Sequence, residues 1–415
     1  RADPRLLPRH AVNYREALAW LFGTQLFGIK LGLENIQHLL GTLNLPGSGQ
    51  QIIHVAGTNG KGSVCAMIDS ILRAAGHRSG LFTSPHLVTF RERIQVNGEM
   101  ISQDDVARGL TSIRECVRDW DPHPTFFEIT TALALQHFKR SDCQVVVLET
   151  GMGGRLDATN AVTSLVSVIT PIDYDHQKWL GNSLGAIARE KAGIIKQGVP
   201  VVSARQEPEA ADIIRTTARE LAAPLRIMDE SYSGPVALPG LHQKQNAAVA
   251  IAALESAHIE VGEWAIRSGL TSVAWPARFQ RWDARITIDG AHNPAGARVL
   301  ARTWRETFGS NCAAIVFAVL RDKNVAEIIA ALAPIASRFV VTQARSERAI
   351  ASDELAEIVH ALAPDASLER AASFGEAMRI TAADAHVLIT GSLHFAGEAL
   401  AHLEGALDEF DECSQ

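Results

Sequence analysis

A glycine-rich stretch carries the residues most able to do chemistry in this chain. Residues 55–63 read Val-Ala-Gly-Thr-Asn-Gly-Lys-Gly-Ser, between an apolar run and a helix-like pattern. The three glycines let the backbone approach an anion, and amides at a helix N-terminus point towards it. Lys61 adds a positive charge, and Ser63 is placed to reach phosphate or a magnesium ion. The stretch predicts a phosphate-binding loop and therefore nucleotide chemistry.

This stretch does not match the strict pattern G-x-x-x-x-G-K-[ST], because Val55 stands at its first glycine and Gly62 follows the lysine. A glycine-rich turn that merely ends a strand is the alternative interpretation. The next residues favour the loop, since apolar side chains recur there at helical spacing and predict one buried helix face. They are Val64, Ile68, Ile71, Leu72 and Ala75.

Acidic and histidine side chains follow the next two predicted strands. The run 145–148 ends at Glu149, and a glycine-rich turn follows it. Open α/β sheets place ligands at the carboxyl ends of their strands, so Glu149 is a candidate magnesium ligand; the alternative is a solvated carboxylate. His176 follows the run 165–169. It is a candidate metal or phosphate ligand, although a lone histidine is more often structural.

Two later segments add further polar candidates. The segment 188–195 begins like a helix, and on pattern alone its charged residues, Lys191 among them, form a solvated face. The segment 288–294 ends a strand with Asp289 and His292 and then begins a helix. Helix capping explains Asp289, but it explains His292 less well.

Short β-branched runs alternate with longer periodic runs from residue 51 onward. This is the pattern of βα units around a mainly parallel sheet. A second such series begins after residues 275–278, with strands predicted at 285–289, 313–318, 338–342 and 386–390. We therefore predict an α/β protein with two domains. Residues 1–282 form an ATPase domain with the phosphate-binding loop, and residues 283–415 form a smaller Rossmann-like α/β domain, with a cleft between them.

The composition limits the class of protein. A chain of 415 residues exceeds what one core usually serves, and 47% hydrophobic with 20% charged residues is typical of a soluble globular protein. No apolar run approaches the roughly 18 residues that span a bilayer, and no signal-peptide core is evident, so we expect a cytoplasmic protein without a membrane partner. A net charge of −7 gives no sign of the excess positive charge that is typical of proteins that bind nucleic acid.

The five cysteines are scattered and form no C-x-x-C pair. This spacing favours reduced thiols used in packing over a disulfide framework or a zinc site. They are Cys65, Cys116, Cys143, Cys312 and Cys413.

Together these residues resemble the folylpolyglutamate synthase and dihydrofolate synthase family, within the ATP-dependent Mur-ligase superfamily. The resemblance covers nearly the whole chain, and its segments follow the family's order. The segments are 57–63, 83–87 with 91–94, 149–160, 175–176 with 179–181, 189–194, 289–294 and 391–393. The chain departs from the family at Ala277, which replaces a glycine, and at Asn324, which replaces a second aspartate.

The resemblance implies an amide ligase. ATP phosphorylates a substrate carboxylate, the amine of L-glutamate attacks the acyl phosphate, and phosphate leaves. By similarity Ser84, Glu149 and His176 bind magnesium, while Lys61 holds the phosphates as a catalytic residue together with His176 and Lys191. The ATP-binding residues that the resemblance implies are Gly57, Thr58, Asn59, Gly60, Lys61, Gly62, Ser63, Asn246, Arg278, Asp289 and His292. Since Asp289 and His292 come from the second domain, activity should depend on domain closure.

Lys191 matches the family lysine that carbon dioxide carbamylates. A carbamate is an anionic oxygen ligand that could bind magnesium, whereas an unmodified lysine would contact phosphate directly. The pterin end of the substrate is expected near Thr125, Phe127, Asp157 and Ala158. Either Phe126 or Phe127 could instead belong to the core.

We therefore expect a ligase that adds L-glutamate to dihydropteroate and to tetrahydrofolate or its polyglutamates. The alternatives are a ligase with only the polyglutamate activity, or a nucleotide-dependent switch or binding module. The implied cofactors are ATP and Mg²⁺, with a monovalent cation as a further candidate. The partners are small molecules (dihydropteroate, folates, L-glutamate and ATP), and we expect a monomer. Lys323 and Arg345 are candidates for holding the incoming glutamate.

Overall fold

Two mainly parallel sheets, each covered by helices, organise the chain. The computed structural model describes residues 13–27, 32–45, 49–364 and 366–411. The first sheet has the order β4-β3-β2-β5-β1-β6-β7-β8, and the second has the order β13-β12-β11-β14-β10-β9. Their arrangement confirms the predicted α/β class, with a larger domain followed by a smaller one.

The strands are short, and most of them run parallel to their neighbours in the sheet. They are β1 (Gln51–Ala56), β2 (Ser79–Phe82), β3 (Ile94–Val96), β4 (Glu99–Met100), β5 (Val145–Glu149), β6 (Val166–Ile169), β7 (Val201–Ala204), β8 (Leu225–Met228), β9 (Gln280–Arg281), β10 (Ile286–Ile288), β11 (Ala313–Phe317), β12 (Ala336–Val341), β13 (Ser367–Arg370) and β14 (Val387–Thr390).

Helices connect most of these strands. They are α1 (Tyr14–Gly23), α2 (Glu34–Thr42), α3 (Lys61–Ala74), α4 (Gln103–Cys116), α5 (Phe126–Arg140), α6 (Gln177–Leu180), α7 (Leu184–Ala192), α8 (Pro208–Glu220), α9 (Leu241–Ser256), α10 (Glu263–Ser272), α11 (Pro294–Phe308), α12 (Val325–Leu332), α13 (Ser352–Leu362), α14 (Phe374–Ile380) and α15 (Leu393–Glu404).

The central strand β1 determines where a ligand can bind. It is parallel to β5 on one side and to β6 on the other, with Val55 opposite Glu149 and Ala56 opposite Ile169. The loop after β1, the end of β5 and the segment after β6 therefore meet at one edge of the sheet. Such an edge, at the carboxyl ends of parallel strands, is where open α/β sheets bind ligands.

Helices cover both faces of each sheet. In the first domain α3, α9 and α10 pack on one face, and α1, α2, α4 and α5 pack around the other. The prediction of one buried face on α3 is therefore wrong. Residues 62–72 are buried all round, because α9 and α10 cover the side of α3 that faces away from the sheet. Ala75 follows the last turn and is only half-buried.

The domain boundary and the cysteines differ in part from the predictions. Strand β9 lies before residue 283, and Gln280 pairs with Ile288, so a hairpin of the second sheet spans the predicted domain boundary. Cys312 is exposed and is not the packing residue we predicted, while Cys413 lies outside the described residues. In the described part of the chain, no helix is both long enough and apolar enough to cross a membrane.

Candidate functional site

The phosphate-binding loop (residues 57–63) joins β1 to α3, as its sequence predicts. The N–H groups of Thr58 and Asn59 donate to the Pro171 carbonyl at 3.0 and 3.1 Å, which fixes the loop against the end of β6. Gly60 caps α3 in the left-handed conformation (φ +85°), which glycine adopts without a steric penalty. The first amides of α3 therefore face the carboxyl edge of the sheet, where they can bind an anion.

Gly57 leaves no room for a side chain. It has φ +149°, and a Cβ built on it would lie 1.9 Å from the Thr170 hydroxyl oxygen. We expect Gly57→Ala to destabilise the protein by about 1–3 kcal/mol, the usual cost of overpacking, and to weaken ATP binding. Gly23→Ala is the control, because a Cβ added there would meet nothing within 4 Å, and it should be neutral or slightly stabilising. Equal unfolding midpoints for the two variants would contradict this prediction.

Lys61 lies at the centre of the predicted site. Its ammonium donates to the carbonyls of Gly57 and Thr58 at 3.2 and 3.4 Å. Burial is the main cause of the shifted pKa values of Glu149, His176 and Lys191. Burial raises the pKa of Glu149 and lowers the other two, whereas the positive charge of Lys61 acts to lower all three. The Nζ of Lys191 donates to the same Gly57 carbonyl, so the structure brings these two predicted catalytic residues together at the loop.

Glu149 is buried at the end of β5 (4% exposed), which excludes the solvated alternative. Its carboxylate accepts a hydrogen bond from the Ser84 N–H at 3.1 Å. Burial raises the pKa of Glu149, and the charges of Lys61 and Arg278 oppose that effect. A carboxylate that burial destabilises in this way costs folding free energy, and such groups occur most often at functional sites. Glu149 and Ser84 therefore lie next to each other beside the phosphate-binding loop.

Lys191 is also buried (4% exposed), although its pattern alone predicts a solvated face. Helix α7 directs its Nζ to the Gly57 carbonyl at 2.7 Å. Burial, with the positive charge of Lys61, lowers the pKa of Lys191 to about 7. Near neutral pH a large fraction of Lys191 is therefore an uncharged amine in contact with the phosphate-binding loop.

Asp175 links the two domains. Its carboxylate accepts a hydrogen bond from Lys323 Nζ at 2.7 Å and lies 3.4 Å from Nε2 of His292. Burial alone would raise the pKa of Asp175, but the hydrogen bond and charge of His292, with the charges of His176 and Lys323, hold it well below its usual range. Asp175 is therefore ionised, and it holds two second-domain side chains next to the phosphate-binding loop.

A pair of asparagines makes a second contact between the domains. Asn293 Nδ2 donates to Asn59 Oδ1 at 3.0 Å, and Asn59 Nδ2 lies 3.4 Å from Asn293 Oδ1. Asn293 also caps α11, accepting a hydrogen bond from the Gly296 N–H at 2.8 Å. The phosphate-binding loop is thus fixed to the N-terminus of a second-domain helix.

His176 immediately follows Asp175 and precedes α6. Partial burial lowers the pKa of His176 to about 4, although the Asp175 carboxylate acts in the opposite direction. Its imidazole is consequently neutral at physiological pH, the form in which histidine binds a metal. The structure therefore supplies His176 in a state suited to its predicted role.

Arg278 and Asp289 are oppositely charged residues whose charges act on each other. The Asp289 carboxylate accepts hydrogen bonds from the N–H groups of Phe279 and Ala291, both at 2.8 Å. Burial lowers the pKa of Arg278, while Asp289 and Glu149 favour its charged form. One carboxylate from each domain therefore favours the charged form of Arg278. The preceding residue, Ala277, has φ +54°, a left-handed conformation that glycine adopts with less strain than alanine.

Gln243 was missed by the sequence analysis. It is buried on α9, its Nε2 donates to Ser63 Oγ at 3.3 Å, and its Oε1 accepts from Asn246 Nδ2 at 2.9 Å. The predicted residue Asn246 reaches the loop at Gly60, where an added Cβ would lie 2.9 Å from the Asn246 Oδ1. Because Gln243 precedes Asn246 by one helical turn, helical spacing could have identified it.

The two candidate phenylalanines have different environments. Phe126 is buried and stacks on Phe22 with ring centres 5.7 Å apart, so it belongs to the core. Phe127 is only half-buried and packs against Gly151, where an added Cβ would lie 2.6 Å from the Phe127 ring. Phe127 is therefore the ring that remains available to a flat ligand. Thr125 caps α5 by accepting a hydrogen bond from the Glu128 N–H at 3.3 Å.

Asp157 is held in a fixed orientation. Its Oδ1 accepts the hydroxyl of Thr159 at 2.5 Å, and its Oδ2 accepts the Met152 N–H at 2.9 Å. The Thr159 hydroxyl also contacts Nε2 of the buried His54 at 2.7 Å. Ala158 begins a short 3₁₀-helix and is buried beside Asp157. The carboxylate is thus preorganised, and burial raises its pKa.

The two candidates for binding glutamate differ in their accessibility. Lys323 is 7% exposed and its ammonium is already paired with Asp175, so it is not free to bind a substrate carboxylate in this arrangement. Arg345 is 53% exposed, and its Nε lies 3.7 Å from the Glu398 carboxylate. Asn324, which departs from the family pattern, caps α12 through the Glu327 N–H at 3.3 Å.

The described residues do not form a metal site from acidic, cysteine and histidine side chains alone. Within the described residues, no group of three or more His, Cys, Asp or Glu could hold a metal ion. Magnesium, however, usually takes only one or two carboxylates and completes its shell with water and substrate phosphates. Glu149, with Ser84 next to it, supplies the one carboxylate that such a site requires. The arrangement can therefore bind a nucleoside triphosphate with its metal and neutralise charge on a transferred phosphoryl group.

Comparisons with known proteins agree with this geometry. The Mur ligase middle domain matches residues 55–219, and the Mur ligase, glutamate ligase domain matches residues 277–393. The first segment contains the phosphate-binding loop, and the second contains the Asp289 to Asn293 cluster. The two matched domains thus correspond to the two sides of the candidate site.

Individual relatives match along most of the chain. The dihydrofolate synthase/folylpolyglutamate synthase of Bacillus subtilis (strain 168) is 39% identical over 358 residues, covering 78% of this chain and 83% of that protein. The protein of the same name from Escherichia coli (strain K12) is 34% identical over 421 residues, covering 97% of each chain. The structure of a bifunctional folylpolyglutamate synthase/dihydrofolate synthase from Yersinia pestis, complexed with AMPPNP and Mn ion, has a TM-score of 0.87 at 33% identity, covering 96% of this chain and 100% of that one.

Proposed function

Because this chain belongs to the folylpolyglutamate synthase and dihydrofolate synthase family of Mur ligases, we propose that it is an ATP-dependent ligase that adds L-glutamate to dihydropteroate and to tetrahydrofolate or its polyglutamates. The observation that carries this proposal is the set of side chains gathered around Lys61. Lys191 donates to the same Gly57 carbonyl as Lys61, and Glu149 lies opposite Val55, just before the phosphate-binding loop. Relatives with this activity are similar along nearly the whole chain.

The proposed reaction begins with positioning and charge neutralisation. A carboxylate is a poor electrophile, so phosphoryl transfer from ATP activates it as an acyl phosphate. The amine of L-glutamate then attacks the carbonyl carbon, the C–O bond to phosphate breaks, and inorganic phosphate leaves with the electron pair. Lys61 and the amides at the start of α3 stabilise the negative charge on the transferred phosphoryl group. The attacking amine loses its proton when the amide forms.

Magnesium would be held by Glu149 and the Ser84 hydroxyl, with His176 as a third ligand. When bound, the ion supplies positive charge that neutralises the phosphate oxygens. The donor set fits this role, since Glu149 and the hydroxyl of Ser84 are hard oxygen ligands and the imidazole of His176 is neutral. The solved relative with AMPPNP contains a Mn ion.

Lys191 is proposed to carry a carbamate in the active enzyme. Two observations support this: the amine is buried, and its pKa is about 7, so it is nucleophilic towards carbon dioxide near neutral pH. Carbamate formation joins the amine nitrogen to the carbon of carbon dioxide and releases one proton. The product would add two oxygen donors beside the phosphate-binding loop, which the Lys191 ammonium cannot provide.

Domain contacts are proposed to be part of the active state. Asp175 and Asn59 of the first domain are bonded to Lys323 and Asn293 of the second, and Asp289 and His292 would complete the nucleotide site. Closure brings these groups together and excludes water from the acyl phosphate, which water would otherwise hydrolyse. We also propose that the protein acts as a cytoplasmic monomer, which sedimentation of the purified chain and cell fractionation would test.

The substrate range is tested by measuring ADP release with dihydropteroate and with tetrahydrofolate, each with and without L-glutamate. We expect turnover of both pterin substrates, because the half-buried ring of Phe127 and the fixed carboxylate of Asp157 can bind the pterin that the two share. Turnover of tetrahydrofolate with L-glutamate, without turnover of dihydropteroate, would show that the protein has only the polyglutamate activity.

The same assay separates a ligase from a nucleotide-dependent switch. A switch would hydrolyse ATP at a similar rate whether or not glutamate and a pterin substrate are present. We expect ADP release that depends on both, because a switch has no need of second-domain residues bonded to the phosphate-binding loop. Release of ADP at full rate with ATP alone would reject the ligase proposal.

A further inference from the structure

The Ser84 loop (residues 84–93) is fastened to the second domain by Asp411. This residue lies in the C-terminal strap (residues 405–411), which follows α15. Its carboxylate Oδ2 accepts hydrogen bonds from the Phe90 N–H at 2.8 Å and the Thr89 hydroxyl at 3.2 Å. Its own N–H donates to the Val88 carbonyl at 2.8 Å. Asp411 therefore holds both the backbone and a side chain of the loop.

A buried histidine and arginine extend this contact. Arg93 Nε donates to His86 Nδ1 at 2.7 Å, so the proton of the neutral ring lies on Nε2, which contacts the Asp411 carbonyl at 3.0 Å. Arg93 is 0% exposed and His86 is 2% exposed. Buried polar groups are costly unless they are hydrogen-bonded, so this chain of contacts favours one arrangement of the loop.

The loop itself has a fixed shape. The Glu92 carboxylate accepts hydrogen bonds from the N–H groups of Leu87, Val88 and Thr89, at 2.7, 2.8 and 2.8 Å. A loop braced in this way moves as one piece. A displacement of residues 86–90 by the strap is therefore passed to Ser84, whose N–H holds the Glu149 carboxylate at 3.1 Å.

The second domain also packs directly on the Ser84 loop. Leu87 and Val88 contact the core cluster that contains Phe395 and Leu400 of α15. A Cβ built on Gly397 would lie 2.0 Å from the Leu87 carbonyl, so α15 approaches the loop backbone without room for a side chain. Movement of the second domain therefore moves this loop as well.

We propose that Asp411 is a positioning residue for the magnesium site, because it fastens the Ser84 loop and couples the placement of Ser84 beside Glu149 to the position of the second domain. The buried cation of Arg93 supports this arrangement, because it is hydrogen-bonded to His86, which in turn contacts the Asp411 carbonyl. Asp411 acts through the loop and contacts neither the phosphates nor the substrate. The inference rests on the proposed magnesium site.

The test is a titration of Mn²⁺ in the presence of AMPPNP, followed by the electron paramagnetic resonance signal of free Mn²⁺. We expect Asp411→Ala to raise the Mn²⁺ dissociation constant at least about fivefold, the lower end of typical coupling between linked sites. Asp411→Asn keeps an acceptor for the Phe90 N–H and should have a smaller effect. Asp408→Ala is the matched control, because Asp408 is an exposed carboxylate of the same strap, and it should bind Mn²⁺ like the unmodified protein.

Glu149→Ala separates this inference from the metal site on which it rests. If Glu149→Ala binds Mn²⁺ normally, the metal site is wrongly assigned and the inference fails with it. If Glu149→Ala loses Mn²⁺ while folded Asp411→Ala and Asp411→Asn keep it, only the role of Asp411 is rejected. Thermal unfolding by circular dichroism identifies the folded variants. If Asp411→Ala does not fold, the Mn²⁺ affinity of Asp411→Asn relative to Asp408→Ala decides the result.

Discussion

Glu149→Ala should abolish ligation and leave the protein folded. The carboxylate is buried, and burial raises its pKa, so removing it relieves a cost to folding while deleting the main proposed magnesium ligand. Lys61→Ala should have the same effect, since its half-buried ammonium donates to loop carbonyls and is not needed to fill the core. Loss of one preorganised electrostatic contact lowers the rate by about 100-fold or more. Single-turnover formation of the amide product measures this directly.

Asp69→Ala is a matched control for both variants. Asp69 is a buried carboxylate on α3, the helix that begins at Lys61, but it bonds to Arg73 and Ser79 at 2.8 and 2.6 Å, away from the phosphate-binding loop. Its removal leaves those partners unsatisfied, so Asp69→Ala should lower the unfolding temperature without a comparable loss of rate per folded molecule. A folded Glu149→Ala or Lys61→Ala protein with the normal rate would show that the site is wrongly assigned.

The local parts of this site were predictable from sequence. The phosphate-binding loop is marked by three glycines and a lysine after β1, and Glu149 is marked by the end of a β-branched run. These signals are local because a strand end, a turn and a helix start are neighbours in the chain. Parallel strands then bring their carboxyl ends together, so the meeting of Glu149 with the loop follows from the fold class alone.

Contacts between distant segments were not predictable in the same way. Asp175 and Lys323 are 148 residues apart, and Asp411 and Phe90 are 321 residues apart. No periodicity in the sequence reports which charged residue of one domain faces another, so the pairing of Lys323 with Asp175 was missed. Adjacent positions raise a similar difficulty, since Phe126 and Phe127 are equally apolar and only the packing of α5 decides which one is buried.

Lys191 is the residue whose chemical state most affects the mechanism. As an ammonium it would repel magnesium, whereas as a carbamate it would bind it. Burial and the Lys61 charge lower its pKa to about 7, so the protonated form predominates below that pH and the neutral amine above it. Only the neutral amine reacts with carbon dioxide. Activity should therefore rise with added bicarbonate above about pH 7, and fall reversibly when dissolved carbon dioxide is removed from mildly acidic buffer.

Lys191→Ala should lose activity by about 100-fold or more, and small carboxylates such as acetate should restore part of it by occupying the space of the missing carbamate. Lys196→Ala is the matched control. Lys196 also has a lowered pKa caused by burial, but its Nζ donates to the Asn160 carbonyl at 3.0 Å instead of to the phosphate-binding loop, so its loss should not alter the bicarbonate response.

Isotopically labelled bicarbonate should give a carbamate carbon signal in the nuclear magnetic resonance spectrum of the unmodified protein, and Lys191→Ala should lack this signal. If that signal is absent and the rate does not respond to bicarbonate, Lys191 is an unmodified amine. Its Nζ lies 2.7 Å from the Gly57 carbonyl of the phosphate-binding loop, where it would then contact phosphate directly.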